Sequence, residues 1–250
     1  DLLKRKEKKR KKKRISLWVK LLLMVAVCTG LYFFASSSYF NVTSFQVEGS
    51  TYYSEDEILT MGNCKTGGNI FWGSGLADIK DRLEKDPYMA KVRIKRILPD
   101  KIKIEITERT QIGAVVYGDN YVVIDKDENV LRKTEVEPQL TLIKGLTISK
   151  IEVGQPIEVE EKVQMRQIMD MIVSMNESDM YFKSIEISEA GVKAYVLDYL
   201  VCVGTPQNIT QAMETGNLQK VIKGLFDINI ERGTVKVSGD DYISFSPAFD

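Results

Sequence analysis

The sequence predicts an α+β protein that is held at a membrane by one amino-terminal helix, and three observations support this fold class. An uninterrupted apolar run lies close to the amino terminus. A strand–helix–helix–strand–strand pattern follows over residues 40–109, and short strands with two isolated helical patterns fill residues 110–250. We therefore expect an anchor, a β-α-α-β-β unit and a mainly antiparallel β unit with two helices.

The anchor is predicted from charge and length together. Residues 1–14 carry ten Lys or Arg against two acidic residues, a net charge of +8, whereas residues 36–250 carry a net charge of −9. Residues 15–35 form an apolar run of 21 residues that contains one charge, Lys20. At about 1.5 Å per residue the run spans roughly 30 Å, which is the thickness of a bilayer core. Lys13, Arg14 and Lys20 are expected to flank the membrane on the cytoplasmic side, with Lys20 reaching the headgroups.

This segment has two alternative interpretations. A basic tail can bind nucleic acid, but its position beside an apolar run favours a positive-inside topology signal, so no nucleic-acid partner is expected. A cleaved signal peptide is the other alternative, because "ASSS" at residues 35–38 offers small residues to a peptidase. The apolar run is longer than the core of a usual signal peptide, so we predict a retained single-pass anchor. The amino terminus would be cytoplasmic and the carboxyl terminus extracytoplasmic.

Residues 40–109 show the elements of the first folded unit. "FNVTSFQVEG" alternates as a strand, and Ser54 with Glu57 forms a capping box that opens a helix. Leu76, Ile79 and Leu83 place a second apolar stripe at helical spacing. Two strands then surround a turn at Pro99–Asp100, and the second of them alternates buried Ile102, Ile104 and Ile106 with polar residues.

Residues 110–250 begin with strands that turn at Gly118–Asp119 and at residues 125–129. A helix is predicted over about residues 159–176, and a second helix is predicted for "NLQKVIKGLFD" at 217–227. The first helix carries a methionine-rich stripe, interpreted as core: Met165, Ile168, Met169, Ile172 and Met175. A hairpin is expected to turn at residues 189–191, and the last strand should follow a turn at Gly239–Asp240.

Several kinds of chemistry are disfavoured by the composition. The chain has no histidine, which removes the commonest general base and metal ligand. Cys28, Cys64 and Cys202 form no zinc spacing. Cys64 and Cys202 are predicted to be unpaired; a disulfide between them is the alternative. The D-x-D-x-N pattern that starts at Asp125 lacks the glycine and the twelfth-position glutamate of a calcium loop, so we predict a hairpin turn there, with no metal or cofactor.

An extracytoplasmic hydrolase that uses two carboxylates is the enzymatic alternative. Its candidate acids are Asp119, Asp125, Asp127, Asp240 and Asp241. Each of them lies in a turn that already explains an aspartate, and the sequence carries none of the usual nucleophile or metalloprotease motifs. We therefore predict no enzymatic activity, and we expect that replacing Asp125 and Asp127 by Asn leaves function intact.

The first folded unit resembles a POTRA domain. The resemblance rests on an F-x-V-x-x-F-x-V-x-G opening at residues 40–49 and a closing R-x-x-P-x-x-I-x-I-x-I-x-E-R at residues 96–109. Behind a single transmembrane helix, this arrangement resembles the FtsQ/DivIB family of bacterial cell-division proteins. The resemblance implies a cytoplasmic tail at 1–14, a transmembrane helix at 15–35, a POTRA domain at 40–109 and an FtsQ-type β domain at 110–250.

The resemblance also implies a function. Members of the family are scaffolds of the divisome at the septum, where they bind FtsL-like and FtsB/DivIC-like bitopic proteins and help to regulate the septal peptidoglycan synthase. In the family the closing strand often reads like D-L-R-Y and is a partner-binding edge. The corresponding residues here are Tyr242, Ile243, Ser244 and Phe245, which keep an aromatic residue but lack the arginine. We expect residues 241–246 to form a terminal strand with a free edge; the alternative is an ordinary last strand that completes the core.

A further alternative comes from other POTRA proteins, which assist secretion or membrane-protein assembly. The sequence contains one POTRA-like unit and no barrel, so this function ranks second.

Overall fold

The computed structural model describes residues 16–188 and 191–248. It begins with helix α1, Leu17–Ala35, in which no side chain is buried. Within the described part of the chain, α1 is the one helix long and apolar enough to cross a membrane. Lys20 is an exposed residue of α1, whereas the predicted flanking residues Lys13 and Arg14 lie outside the described residues. A short 3-10 turn at Ser38–Phe40 then leads into the first sheet.

The first sheet has three strands and two helices in the predicted β-α-α-β-β order. The elements are β1 (Ser44–Glu48), α2 (Glu55–Met61), α3 (Leu76–Leu83), β2 (Met89–Ile97) and β3 (Lys101–Glu108). The sheet order is β1-β3-β2, with β1 parallel and β2 antiparallel to the central strand β3.

Local sequence accounts for these elements. Ser54 accepts a hydrogen bond from the backbone N–H of Glu57, and the Glu57 carboxylate accepts one from the backbone N–H of Ser54, which is the predicted capping box. On β3 the three alternating isoleucines are buried while their neighbours stay partly or fully exposed. Ile79 and Leu83 of α3 are also buried, so the helices cover one face of this sheet.

The second sheet has nine strands and is mainly antiparallel. The strands are β4 (Gly113–Tyr117), β5 (Asn120–Ile124), β6 (Val130–Thr134), β7 (Thr141–Lys144), β10 (Ser184–Ser188), β11 (Gly191–Tyr195), β12 (Leu200–Gly204), β13 (Gly233–Val237) and β14 (Ile243–Pro247). A separate hairpin between them consists of β8 (Ile148–Lys150) and β9 (Glu158–Val159). The order is β14-β13-β12-β11-β10-β7-β4-β5-β6, with parallel pairs at β4–β7, β7–β10 and β12–β13. The tip of the predicted β10–β11 turn, residues 189–190, lies outside the described residues.

Three helices cover one face of this sheet: α4 (Lys162–Glu177), α5 (Pro206–Glu214) and α6 (Asn217–Asp227). The methionine-rich stripe of α4 is buried in one core with α5, α6 and the inward side chains of the strands, as predicted. Helix α5 was not predicted. The Thr205 side chain accepts a hydrogen bond from the backbone N–H of Asn208, and Pro206 occupies the first turn, where its missing N–H costs nothing.

Candidate partner-binding edge

Strand β14 forms one border of the nine-strand sheet. Its neighbour is β13, and the register pairs Val237 with Ile243 and Val235 with Phe245 without a bulge. Among the described residues no strand pairs with the other side of β14. Such a border presents a row of main-chain donors and acceptors that can pair with another chain.

The alternation of hydrogen-bonded and non-hydrogen-bonded pairs along β13 and β14 shows which main-chain groups of β14 face outward. The Ser238 N–H donates to the Tyr242 carbonyl oxygen at 2.9 Å, so Ser238 and Tyr242 form a hydrogen-bonded pair. Hydrogen-bonded and non-hydrogen-bonded pairs alternate along an antiparallel ladder. The backbone groups of Ser244 therefore point inward to β13, and those of Ile243 and Phe245 point outward. Pro247 also occupies an outward position but has no N–H, which limits how far a partner strand can pair.

The side chains of the four predicted site residues divide between the core and the solvent. Ile243 and Phe245 are partly buried against the core of the second sheet. Ser244 is exposed on the opposite face, and Tyr242, which precedes the strand, is 77% exposed. The two readings of this segment are therefore compatible, because the strand completes the core through its side chains and leaves its main chain open on one side.

A glycine fixes the position of the Phe245 ring. Gly233 lies opposite the ring and has a φ of +138°, which disfavours residues that carry a Cβ. A Cβ at this position would lie 2.5 Å from the Phe245 Cε2 atom. The absence of a side chain at Gly233 therefore lets β14 lie flat against the core.

The turn that leads into β14 is attached to helix α6. The Asn217 side-chain amide donates to the Asp241 carboxylate at 2.8 Å and to the Asp240 carbonyl oxygen at 3.2 Å. The Asp240 carboxylate in turn accepts the backbone N–H of Asp241 at 3.0 Å. These two candidate acids thus hold the start of the edge strand in place.

The other candidate acids, Asp119, Asp125 and Asp127, are far from this turn, and Asp119 is also far from Asp125. Asp119 and Asp125 lie beyond opposite ends of the five-residue strand β5, which separates them by roughly 20 Å. Strand β5 is also six positions from β13 in the sheet order, a lateral distance of about 29 Å. The five carboxylates therefore do not form one cleft.

Asp125 stabilises the turn, as predicted, and also forms a buried ion pair. It is 2% exposed, and its carboxylate pairs with the Arg109 guanidinium at 2.9 Å. The same carboxylate accepts the backbone N–H groups of Asp127 and Asn129. The ion pair therefore joins the end of the first sheet to the β5–β6 turn of the second, and Asp127 is exposed beside it. That Asn at Asp125 and Asp127 leaves division function intact stays a prediction, although Asn at Asp125 would remove the charge of this ion pair.

Glu108, next to Arg109, holds a loop of the first unit. Its carboxylate accepts hydrogen bonds from the Ser50 hydroxyl, from the Thr51 N–H at 2.8 Å and hydroxyl at 2.9 Å, and from the Tyr52 N–H at 3.1 Å. Burial raises the pKa of Glu108, but the hydrogen bonds from Ser50, Thr51 and Tyr52 outweigh it and lower the pKa below its ordinary value. The consecutive residues Glu108 and Arg109, at the end of the first unit, thus both have structural roles.

The three cysteines are unpaired in the structure. Cys28 is exposed on α1, Cys64 is half-buried and Cys202 is buried. Burial raises the pKa of Cys64 and raises that of Cys202 to about 12, so neither thiol is activated as a nucleophile. Among the described residues no group of three or more His, Cys, Asp or Glu side chains is arranged to hold a metal ion.

The chain is similar to known cell-division proteins along most of its length. Residues 40–109 match the family model described as "POTRA domain, FtsQ-type". A "Cell division protein DivIB" of Clostridium acetobutylicum is 28% identical over 224 residues, which cover 85% of this chain and 86% of the relative. A protein of the same name from Clostridium botulinum is 25% identical, covering 92% of this chain and 93% of the relative. A "Cell division protein FtsQ" of Syntrophotalea carbinolica is 33% identical, over 46% of this chain and 40% of the relative.

Proposed function

We propose that this chain, which belongs to the FtsQ/DivIB family of bacterial cell-division proteins, is a membrane-anchored scaffold of the divisome that binds partners through the edge of β14. The expected partners are FtsL-like and FtsB/DivIC-like bitopic proteins, whose extracytoplasmic segments would meet this edge at the septum. Through them the scaffold would help to regulate the septal peptidoglycan synthase. The observation that carries the proposal is the outward main-chain row of β14.

Strand addition suits the chemistry of this edge. The outward N–H and C=O groups of Ile243 and Phe245 can pair with an extended segment, while alternate side chains of that segment contact the sheet faces. One of these faces carries polar and half-exposed residues next to the edge: Val201, Val203, Thr234, Lys236, Ser244 and Ser246. Lys236 favours a partner segment with an acidic side chain at the matching position.

A binding role is also more consistent with the candidate acids than catalysis is. Asp125 is held in an ion pair, Asp240 and Asp241 hold a turn, and the sheet order separates these two groups. A glycosidase-type mechanism needs two carboxyl groups that face each other across a substrate. The neighbours Asp125–Asp127 and Asp240–Asp241 instead lie in tight turns, where the carboxylates of Asp125, Asp240 and Asp241 already accept structural hydrogen bonds. We therefore infer a non-enzymatic scaffold. The similar proteins from Clostridium and Syntrophotalea are named as cell-division proteins, which favours a role in division over one in secretion.

The test removes one outward donor while the ladder to β13 stays intact. Ile243→Pro deletes an outward N–H, and Ile243→Ala is the matched control, because it shortens the same side chain but keeps the donor. The full chain is reconstituted in vesicles and titrated with the ectodomains of the two bitopic partners. Loss of one main-chain hydrogen bond should weaken binding of the Pro variant about fivefold relative to the Ala variant.

Thermal unfolding of both variants checks that the edge strand is still folded. Equal affinities of two folded variants would exclude main-chain pairing at this edge. Ser244→Pro is unsuitable for the test, because the Ser244 donor faces β13 and its loss would break the ladder inside the protein.

A further inference from the structure

The carboxyl-terminal end of α1 is packed against the first unit instead of being joined to it by a free linker. The Asn69 side-chain amide donates to the Ala35 carbonyl oxygen, the last of the helix, at 2.8 Å. The Trp72 ring stacks on the Tyr32 ring with 5.7 Å between centroids and 26° between planes. Since Tyr32 precedes Ala35 by three residues, Trp72 lies beside α1 about 4.5 Å before the helix ends.

Further aromatic contacts connect the helix to the core of the first unit. Phe34 packs on Phe40, Phe40 packs on Phe71, and Phe71 packs on Trp72, with ring centroids between 5.2 and 5.6 Å apart. Phe40 is 9% exposed and belongs to the core. The loop at 69–73 is itself tight, since a Cβ on Gly73 would lie 2.7 Å from the backbone nitrogen of Asn69. The anchor and the first unit therefore form one packed body.

The β2–β3 turn lies at the same end of the first unit. The Thr43 N–H donates to the Asp100 carbonyl oxygen at 2.8 Å, and the Arg96 Nε donates to the Ile70 carbonyl oxygen at 2.7 Å. This end carries four exposed large apolar side chains, which we call the aromatic rim: Tyr39 at 65% exposure, Trp72 at 59%, Leu98 at 58% and Ile97 at 37%.

We propose that the aromatic rim is a lipid-binding surface that lies in the headgroup region of the leaflet at the carboxyl-terminal end of α1. Trp and Tyr prefer this depth, where the ring is in a partly apolar layer and its polar atom is hydrated. The rim continues the surface of the membrane helix, so the bilayer that surrounds the helix also reaches the rim. The inference rests on α1 crossing the membrane, as in the proposed function, and is independent of partner binding at β14.

The fluorescence of the two tryptophans tests this placement in the full chain. Trp18→Phe leaves Trp72 as the reporter, and Trp72→Phe leaves Trp18, within α1, as the reference for an inserted helix. A distal reference is Tyr52→Trp in the Trp18→Phe/Trp72→Phe background. Tyr52 contacts Glu108, at the end of β3 that lies about 20 Å from the rim.

Each variant is placed in phosphatidylcholine–phosphatidylglycerol vesicles with and without brominated acyl chains. Trp72 emission should be blue-shifted, reduced by brominated lipid and protected from aqueous iodide. Emission from the Tyr52→Trp variant should be red-shifted and sensitive to iodide alone.

The references separate the ways in which the inference can fail. Trp72 emission equal to that of the distal reference would overturn the inference, and so would protection of Trp72 from both quenchers, because protein would then cover the rim. If the emission of Trp18 in the Trp72→Phe variant were also unaffected by brominated lipid, α1 would not be inserted in the bilayer. Both the inference and the membrane anchor of the proposed function would then be wrong.

Discussion

At the scale of single residues, the Glu-Arg pair that closes the first unit shows how a recurring sequence pattern reflects ordinary structural requirements. The Glu108 carboxylate accepts hydrogen bonds from the loop at 50–52. The Arg109 guanidinium forms an ion pair with the buried carboxylate of Asp125, in the β5–β6 turn of the second sheet. The alternating isoleucines before them are the buried face of β3. The pattern could be identified from the sequence, but the partners could not, because they lie more than 15 residues away along the chain.

Glu108 provides a prediction of pH-dependent stability. Its pKa in the folded protein is below the ordinary value of 4.5, so its contribution is present above that pH and is lost as the pH falls through the folded pKa. Glu108→Gln replaces one acceptor oxygen by an NH₂ group that faces other donors. The substitution should lower the free energy of unfolding by about 1–2 kcal/mol at neutral pH.

Urea denaturation across a pH series is the measurement, and the difference between Glu108→Gln and the native protein should shrink in acid. Glu231→Gln, at an exposed residue, is the matched control and should leave stability nearly unchanged at neutral pH. If the difference in the free energy of unfolding between Glu108→Gln and the native protein stayed constant down to the pH of acid unfolding, the charge of the Glu108 carboxylate would not be involved.

At the scale of elements, sequence patterns predicted the long and strongly periodic segments and missed what depends on distant pairing. The stripe of α4 and the isoleucines of β3 are both visible as apolar periods. Helix α5 was missed because it has only nine residues, of which Pro206, Ile209, Ala212 and Met213 are buried. So short an apolar pattern does not distinguish a helix from a loop. The parallel pairing of β7 with β10 joins segments about 40 residues apart, and no local pattern encodes it.

The candidate edge illustrates the same limit. Alternation and turn residues indicated a last strand near residues 241–246, and the structure has it at Ile243–Pro247. Which donors face outward depends on the parity of the β13–β14 ladder, which a sequence does not reveal. Whether the strand lies at a border depends on the order of all nine strands.

The β5–β6 hairpin gives a prediction at this scale, because its turn joins the two sheets. Asp125→Asn keeps the size of the side chain and removes the charge that faces Arg109. Loss of this charge-assisted pair should lower the free energy of unfolding by about 1.5–3 kcal/mol. Asp127→Asn, in the same turn but exposed, should change it by less than about 0.5 kcal/mol.

Chemical denaturation of both variants is the measurement. Equal stability of the two Asn variants would mean that the Arg109–Asp125 pair contributes nothing to the junction. Loss of division function by Asp127→Asn in a stable protein would instead point to a chemical role for this turn.

At the scale of the whole molecule, charge and hydropathy divide the chain into three zones. The +8 segment at 1–14, the apolar helix α1 and the −9 remainder follow each other in the order that the positive-inside rule associates with a cytoplasmic amino terminus. The aromatic contacts between α1 and the first unit extend this arrangement, because they join the apolar helix to the folded part without a free linker.

The orientation of α1 across the membrane can be tested in cells. In cells stripped of their wall, external protease should remove an epitope placed after Asp250 and spare one placed before Asp1. The surviving fragment should contain the basic segment and α1. Replacing the ten Lys and Arg of residues 4–14 by Gln should reduce the correctly oriented fraction, because those charges are the topology signal, whereas the same number of Lys→Gln changes beyond residue 36 should not.

Detergent-treated cells, in which both epitopes become accessible, serve as the control for protease activity. A mature protein that begins near Ser37 would show a cleaved signal peptide, and protection of the carboxyl-terminal epitope in intact cells would reverse the orientation and place β14 on the cytoplasmic side.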